Sequence, residues 1–184
     1  MPSSVKATML EQLESQRAEI DRLLVEVGID RMTEPIAGGW SVKDIVAHLM
    51  AYDRWWGAQL RSTMRGTPAT TRELYDSDEA PAGSDPFDLD RLNASLHDRY
   101  RNHPLDEVLQ GAQAAFAELC SALQETPDAL WDAPLEAEWA MGDMLPDLIQ
   151  QQVIDHYRAH EPQLRSWIMQ DEGLTAGPDK PVEG

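Results

Sequence analysis

The stretch GGWSVKDIVAHLMAYDRWW, residues 38–56, carries the clearest helical pattern of this chain. Its two glycines allow the backbone to turn, and Ser41 with Asp44 three residues later forms a capping pattern that starts a helix. Apolar residues then recur at three- and four-residue steps as far as Trp55, which is the spacing of one buried helix face. The stretch therefore predicts an amphipathic helix over about residues 41–63.

The same helical period recurs along most of the chain. Four further helices are predicted, over residues 4–27, 89–100, about 105–124 and about 143–170. Asp143 is the predicted N-cap of the last one, with Pro146 tolerated in its first turn. No stretch alternates apolar and polar residues in the way a β-strand would. Long helices with short accessory ones predict an all-α bundle.

The length of 184 residues fits one domain, which we assign to residues 1–170. Residues 171–184 are acidic, contain glycine and proline, and predict a disordered tail. Residues 64–88 predict a long loop, which is either a lid over a site or a plain or disordered connection. Cys120 falls on the inner face of its helix, where core packing is the simplest role for it.

The charge balance argues against several classes of partner. The 33 acidic and 15 basic side chains give a formal net charge of −18. The negative field of these side chains repels nucleic acid and anionic lipid headgroups. A solvated acidic surface that keeps the protein soluble also explains the charge. The single cysteine cannot form an internal disulfide, and the N-terminus lacks the apolar segment of a secretory signal. We therefore expect a cytoplasmic protein without nucleic acid or membrane partners.

Three histidines lie on predicted inward faces. His156 and His160 are four residues apart, so both fall on one helix face, and they continue its apolar stripe. His48 follows Ile45 by three residues on the buried face of its own helix. Three inward imidazoles from two helices suit a Zn²⁺, Ni²⁺ or Fe²⁺ site with open positions. The alternative is a polar core in which Tyr157, water or a carboxylate satisfies the histidines.

The aromatic residues and the other histidines complete the candidate site. Tyr52 and Trp55 share a face with His48 and are predicted to line a pocket, unless they merely pack at a helix crossing. The Tyr52 hydroxyl is the candidate proton donor, or the partner of a metal-bound histidine. His97 and His103 lie beside a polar helix end and are predicted to face solvent.

Residues 38–56, read with LDRLNASLHDRYRNHPLDEVLQ at 89–110 and DHYRAHEPQLRSW at 155–167, resemble the DinB/YfiT-like superfamily. Within it, they resemble the ClbS/DfsB branch. The likeness covers roughly residues 5–170. Its most specific parts are the W-S-V-K-D-x-x-A-H stretch and the H-Y-x-x-H near the end.

The resemblance implies an up-down-down-up four-helix bundle with short accessory helices, commonly a homodimer. It also implies a metal bound by one histidine of the second helix and two of the last, which are here His48, His156 and His160. Some ClbS/DfsB-like members lack the complete histidine set, so this chain looks more like the metal-binding branches. Other branches use mycothiol or bacillithiol, which makes a low-molecular-weight thiol an implied cofactor.

Three hypotheses follow for the function. The first is a metal-dependent transferase or hydrolase of the detoxification or self-resistance type, which attacks a small electrophile with a metal-activated thiol or water. The second is a non-catalytic protein that binds or sequesters a hydrophobic small molecule. The third is a structural bundle with polar histidines. Tyr-Arg-Ala stands between His156 and His160, so the glutamate of an H-E-x-x-H protease motif is absent.

Overall fold

The structure is a computed structural model that describes residues 4–35, 39–67, 89–136, 140 and 142–175. The helices are α1 (Ser4–Val27), α2 (Val42–Arg65), α3 (Leu89–Tyr100), α4 (Leu105–Glu125), α5 (Leu145–Ile149) and α6 (Asp155–Thr175). A π-helical turn, Gln150–Ile154, joins α5 to α6, and 3₁₀ turns lie at Ile29–Arg31 and Asp128–Leu130. These residues contain no β-strand, so the all-α prediction is confirmed.

The helices α2 and α4 share the most extensive helix–helix interface among the described elements, and they run parallel. Met50 packs against Gly111, where an added Cβ would lie 2.7 Å from the Met50 sulfur. Two turns further along, Gly57 faces Leu119, whose Cα would lie 3.7 Å from a Cβ added at that glycine. Residue numbers therefore rise in the same direction along both helices, and the two glycines let the helices approach closely.

The other two long helices run in the opposite direction. Lys6 of α1 donates to the carbonyl of Thr126, just after α4, at 2.8 Å, whereas Arg17 donates to Ala112 at 3.3 Å. The helix α1 is therefore antiparallel to α4. The helix α6 is antiparallel to α2, because His160 lies beside the early part of α2 and Tyr157 beside a later part. Together these directions give the predicted up-down-down-up bundle.

The start of α2 has the predicted capping box. The backbone N–H of Asp44 donates to Ser41 Oγ at 3.2 Å, and the Ser41 N–H donates to the Asp44 carboxylate at 2.8 Å. Gly66 ends the helix in the left-handed region, with φ of 64°. Two residues that are close in sequence thus determine where α2 begins.

The start of the last helical segment differs from the prediction. Met144, and not Asp143, is the N-cap of α5, and its side chain makes no capping hydrogen bond. Asp143 is exposed, so its predicted capping role is wrong. Pro146 does lie in the first turn, where its missing N–H costs no helical hydrogen bond.

The π turn over Gln150–Ile154 changes which residues of the last helix are buried. A π turn places an extra residue in the helical turn and rotates the residues that follow. Gln152 lies four residues before His156, where a uniform helical period places an inward residue, but it is exposed, and Val153 and Ile154 are buried instead. After the turn, Tyr157 takes the core position. A uniform helical period could not predict this change.

The ends of two predicted segments lie partly outside the residues that the structure describes. The helix α6 continues to Thr175, past the predicted end at residue 170, and residues 176–184 lie outside the described part of the chain. The predicted loop over 64–88 begins at the end of α2, but residues 68–88, with the predicted lid, are also outside it. No helix in the described ranges is long and apolar enough to cross a membrane.

Candidate metal centre

The structure brings the three predicted histidines together where α2 meets α6. His48 Nε2 lies 2.7 Å from His156 Nε2, which in turn lies 3.2 Å from His160 Nε2. All three residues can offer a ring nitrogen within 4.8 Å of the other two. Adjacent ligands that each lie about 2.0–2.1 Å from one ion are themselves roughly 3 Å apart, so this spacing fits a shared ion.

The three rings differ in how deeply they are buried. His48 is only 4% exposed, whereas His156 and His160 are half-buried. The π turn explains the difference, because it gives the core position to Tyr157 and leaves the two histidines at the edge of the buried stripe. The nitrogens that would bind a metal thus face a pocket at the edge of the core. Of the three histidines that were predicted to point inward, only His48 is buried.

Hydrogen bonds among the histidines cannot satisfy all three Nε2 atoms. His160 Nδ1 lies 2.9 Å from Gln163 Oε1 and must donate to it, which leaves a lone pair on Nε2 of neutral His160. His156 Nε2 faces the Nε2 atoms of both His48 and His160. One proton can serve only one of these two contacts, so the other nitrogen–nitrogen contact is left without a hydrogen bond. A cation would accept all three.

The electrostatics of the site keep the histidines uncharged. Burial, with repulsion from the two neighbouring histidines, lowers the pKa of His48 to about 2. Burial, with repulsion from His160, lowers the pKa of His156 to about 3, and burial also lowers the pKa of His160. Neutral imidazole is the form that binds metal, so this donor set fits a divalent ion near neutral pH.

Different contacts orient the outer nitrogens of His48 and His160. His48 Nδ1 is buried and has no hydrogen-bond partner among the described residues. Its ring is held by packing, with Trp40 at 5.5 Å and Tyr52 at 4.8 Å between ring centroids. His160 is oriented by the Gln163 amide instead. An amide in this position fixes the tautomer without adding a negative charge.

A cavity of about 740 Å³ opens beside the three histidines. Tyr52 lines it, with its ring 4.5 Å from that of His156, as predicted. Trp55 is not among the lining residues; it packs edge-on against Trp56 at 5.0 Å, so its predicted place in the pocket is wrong.

Trp40 is a pocket residue that the sequence analysis missed. It stands directly before the N-cap of α2 and lines the cavity together with Ile45, four residues into the helix. An apolar pair at these two positions is the hydrophobic staple, a local signal that was available in the sequence. His97 stacks on Trp40 at 5.8 Å and is half-buried rather than solvent-facing, whereas His103 is exposed as predicted.

The remaining wall of the cavity is rich in amides. No arginine or lysine of the described chain lines it. The polar lining residues other than the histidines and Tyr52 are Asp90, Asn93, Gln151, Gln152, Asp155 and Gln163. The wall therefore offers the neutral donors and acceptors of four amides beside two carboxylates, and its described residues offer no cation to a negatively charged ligand.

A second polar cluster lies between the same two helices, α2 and α6, deeper in the core than the histidines. Tyr157 donates to Asp53 Oδ2 at 2.6 Å, and both side chains are buried. Burial raises the pKa of Asp53 to about 7 and the pKa of Tyr157 above its usual value. Asp53 was not singled out in the sequence, and Tyr157 was predicted only as a candidate partner of the histidines; the tertiary structure pairs it with Asp53 instead.

The bundle directions and the histidine triad define a helical bundle protein of the DinB-like class, with a triad compatible with metal binding. The family model of the mycothiol maleylpyruvate isomerase N-terminal domain matches residues 13–161. The chain belongs to this family, which is part of the DinB-like superfamily. The ClbS/DfsB branch is not confirmed. Neither a curated protein nor a solved structure matches the chain.

Proposed function

We propose that the chain is a metal-dependent enzyme that acts on a small electrophilic molecule, as a transferase or a hydrolase of the detoxification or self-resistance type. His48, His156 and His160 would hold a zinc, nickel or iron ion. The observation that carries the proposal is the convergence of three neutral Nε2 atoms whose lone pairs the protein cannot all satisfy. When bound, such an ion lowers the pKa of a thiol or water and supplies a nucleophile near neutral pH.

The amide-rich wall supports a thiol as the second reactant. The name of the family refers to mycothiol, and we propose a low-molecular-weight thiol of that kind as the cofactor. Asn93, Gln151 and Gln152 line the cavity and would donate to and accept from the uncharged polar groups of such a thiol. The cavity of about 740 Å³ lies within the size range of small-molecule sites.

Tyr52 is the proposed proton donor of the reaction. Its ring lies against both His48 and His156, and it lines the cavity in which the substrate would bind. A phenol held there can give a proton to an oxygen or carbon that becomes negative during attack on an electrophile. Exchange of Tyr52 for Phe should then lower kcat while leaving metal affinity unchanged.

A turnover assay tests the proposal. Metal-loaded protein is incubated with mycothiol and a generic electrophile such as 1-chloro-2,4-dinitrobenzene, and loss of the electrophile is followed with and without thiol. We expect a rate above background that disappears when the metal is removed and returns when zinc is restored. His103→Ala is the matched control, because this histidine is exposed and is not part of the triad. No metal-dependent rate with either thiol or water would refute the enzyme.

The second candidate is a protein that binds or sequesters a hydrophobic small molecule without turnover. It is favoured by the apolar part of the cavity, where Trp40, Tyr52 and Leu89 contribute to the lining. Saturable binding of an apolar ligand with no chemical change would support it. The homodimer, the cytoplasmic location and the lack of nucleic acid and membrane partners stay predictions from the sequence; light scattering tests the first.

A further inference from the structure

A second cavity lies between α2 and α4, away from the histidines. Its volume is about 390 Å³, and its described lining residues are all different from those of the cavity beside the triad. Arg54, Arg61 and Arg65 of α2 line it. These residues fall on one stripe of the helix, seven and then four positions apart, and the small side chain of Ala58 leaves space between them.

These three arginines differ from most of the other arginines that the structure describes. Six of those contact a carboxylate, namely Arg17, Arg22, Arg31, Arg101, Arg158 and Arg165. No described carboxylate lies within ion-pair distance of Arg54, Arg61 or Arg65. In a chain with 33 acidic side chains, three arginines in one cavity with no ion pair to a described carboxylate are unexpected.

The hydrogen bonds that the structure describes for two of these arginines are made to uncharged groups. Arg61 Nη2 donates to the backbone carbonyl of Glu118 at 3.3 Å, and Arg54 Nη1 donates to the Tyr100 hydroxyl at 3.4 Å. Both acceptors are neutral. The guanidinium groups are therefore positioned at the cavity while their positive charge is available to a ligand.

The acidic residues at the same cavity oppose this charge only weakly. Glu118 lines the cavity from α4, but none of the described ion pairs joins its carboxylate to the three arginines. Asp53 lies at the buried side, where Tyr157 donates to it. Burial raises the pKa of Asp53 to about 7, so this carboxyl group is partly protonated near neutral pH.

We propose that this arginine cavity binds a small organic anion that carries a phosphomonoester or two carboxylates. Arg61 and Arg65 are one helical turn apart and can bind one anionic group together, as guanidinium pairs do with phosphate and carboxylate. Arg54 lies two turns further along and reaches a second group of the same ligand. The cavity of about 390 Å³ has room for an organic molecule around these groups.

Solution NMR of the full-length, metal-loaded protein tests this proposal. Phenyl phosphate and succinate are titrated separately, and the side-chain Nε–H signals of the arginines and the ring signals of the histidines are followed. We expect saturable shifts of Arg54, Arg61 and Arg65 with at least one of the probes. The probe that binds more tightly identifies the anionic group. Shifts confined to the histidines, or no saturation with either probe, would overturn the proposal.

Paired variants keep the result independent of bulk charge. Arg61→Gln combined with Arg65→Gln should weaken binding on the order of tenfold or more, since two charge-assisted contacts are lost. Arg101→Gln is the control, because this exposed arginine pairs with Asp98 outside the cavity. We expect it to change affinity less than about twofold. Equal losses in both proteins would show a general electrostatic effect and refute the site; thermal melting verifies that each variant is folded.

Discussion

Two polar clusters join α2 to α6, and they differ in whether the protein alone can satisfy them. Asp53 and Tyr157 form a buried pair in which the phenol donates and the carboxyl accepts. His48, His156 and His160 bring three Nε2 atoms together with too few protons for their contacts. The first cluster is complete as a hydrogen-bonded pair. The second lacks a partner, and that deficit is what distinguishes a candidate binding site from polar packing.

The two clusters also respond to pH in opposite ways. The pKa of Asp53 is raised, so the folded state favours its protonated form. The pKa values of His48 and His156 are lowered, so the folded state favours their neutral forms. Variants of each cluster should therefore separate metal binding from stability.

The largest effect is expected when the triad loses a ligand. His156 lies between the other two rings, and His156→Ala should weaken zinc affinity by at least about a thousandfold, because two histidines cannot form a facial set. Elemental analysis and competition with a chromophoric chelator measure this loss. His103→Ala should retain the affinity of the wild type. If His156→Ala binds zinc as tightly as His103→Ala does, the triad is not the metal site.

Most of this triad could be predicted because each part depends on local sequence. The capping box at Ser41 and Asp44 sets the start of α2 and thus the direction in which His48 points. The four-residue spacing sets His156 beside His160 on any helix. Only the meeting of the two helices required tertiary structure, and the resemblance to a known superfamily supplied it.

The parts that could not be predicted depend on contacts between distant residues. The π turn at Gln150–Ile154 has no side-chain signature of its own, yet it decides that Tyr157 enters the core. Trp55 shares a helix face with Tyr52, but the contact of Trp55 with Trp56 directs it away from the pocket. Asp53 and Tyr157 are 104 residues apart, so neither reveals the other in sequence.

The second prediction concerns the pH dependence of stability in metal-free protein. Because the folded-state pKa of Asp53 is about 7, above the usual 3.8, its stabilising contribution is present below pH 3.8 and is lost as pH rises through 7. The triad has the opposite sign, since its contribution is present above pH 6.5 and is lost as pH falls towards 3. The two slopes partly cancel in the wild type.

Asp53→Asn should remove the pH dependence of stability that Asp53 causes and leave the one that the histidine triad causes. We expect this variant to be roughly 2–4 kcal/mol more stable than the wild type at pH 8, because an amide avoids the cost of a buried charge and still accepts from Tyr157. Urea unfolding between pH 4.5 and 8 measures the difference, with Asp132→Asn at an exposed position as the control. A variant that is less stable than the wild type at pH 8 would mean that the ionised carboxylate is needed by the fold.

The smallest effect is expected at Gln163. A substitution there changes which nitrogen of His160 carries the proton but removes no metal ligand. Gln163 Oε1 accepts from His160 Nδ1 and keeps the lone pair of this ring on Nε2, facing the other histidines. Gln163→Ala should lower zinc affinity roughly tenfold, at the low end of the range for partners of metal-bound histidines. Gln163→Glu should keep the zinc affinity of the wild type or raise it, because a carboxylate also accepts from His160 Nδ1 and adds negative charge. Gln124→Ala, at an exposed position on α4, is the control for both. Equal affinities in all four proteins would mean that packing alone orients His160, as it does His48, and the triad would then owe its geometry to the helices rather than to the amide.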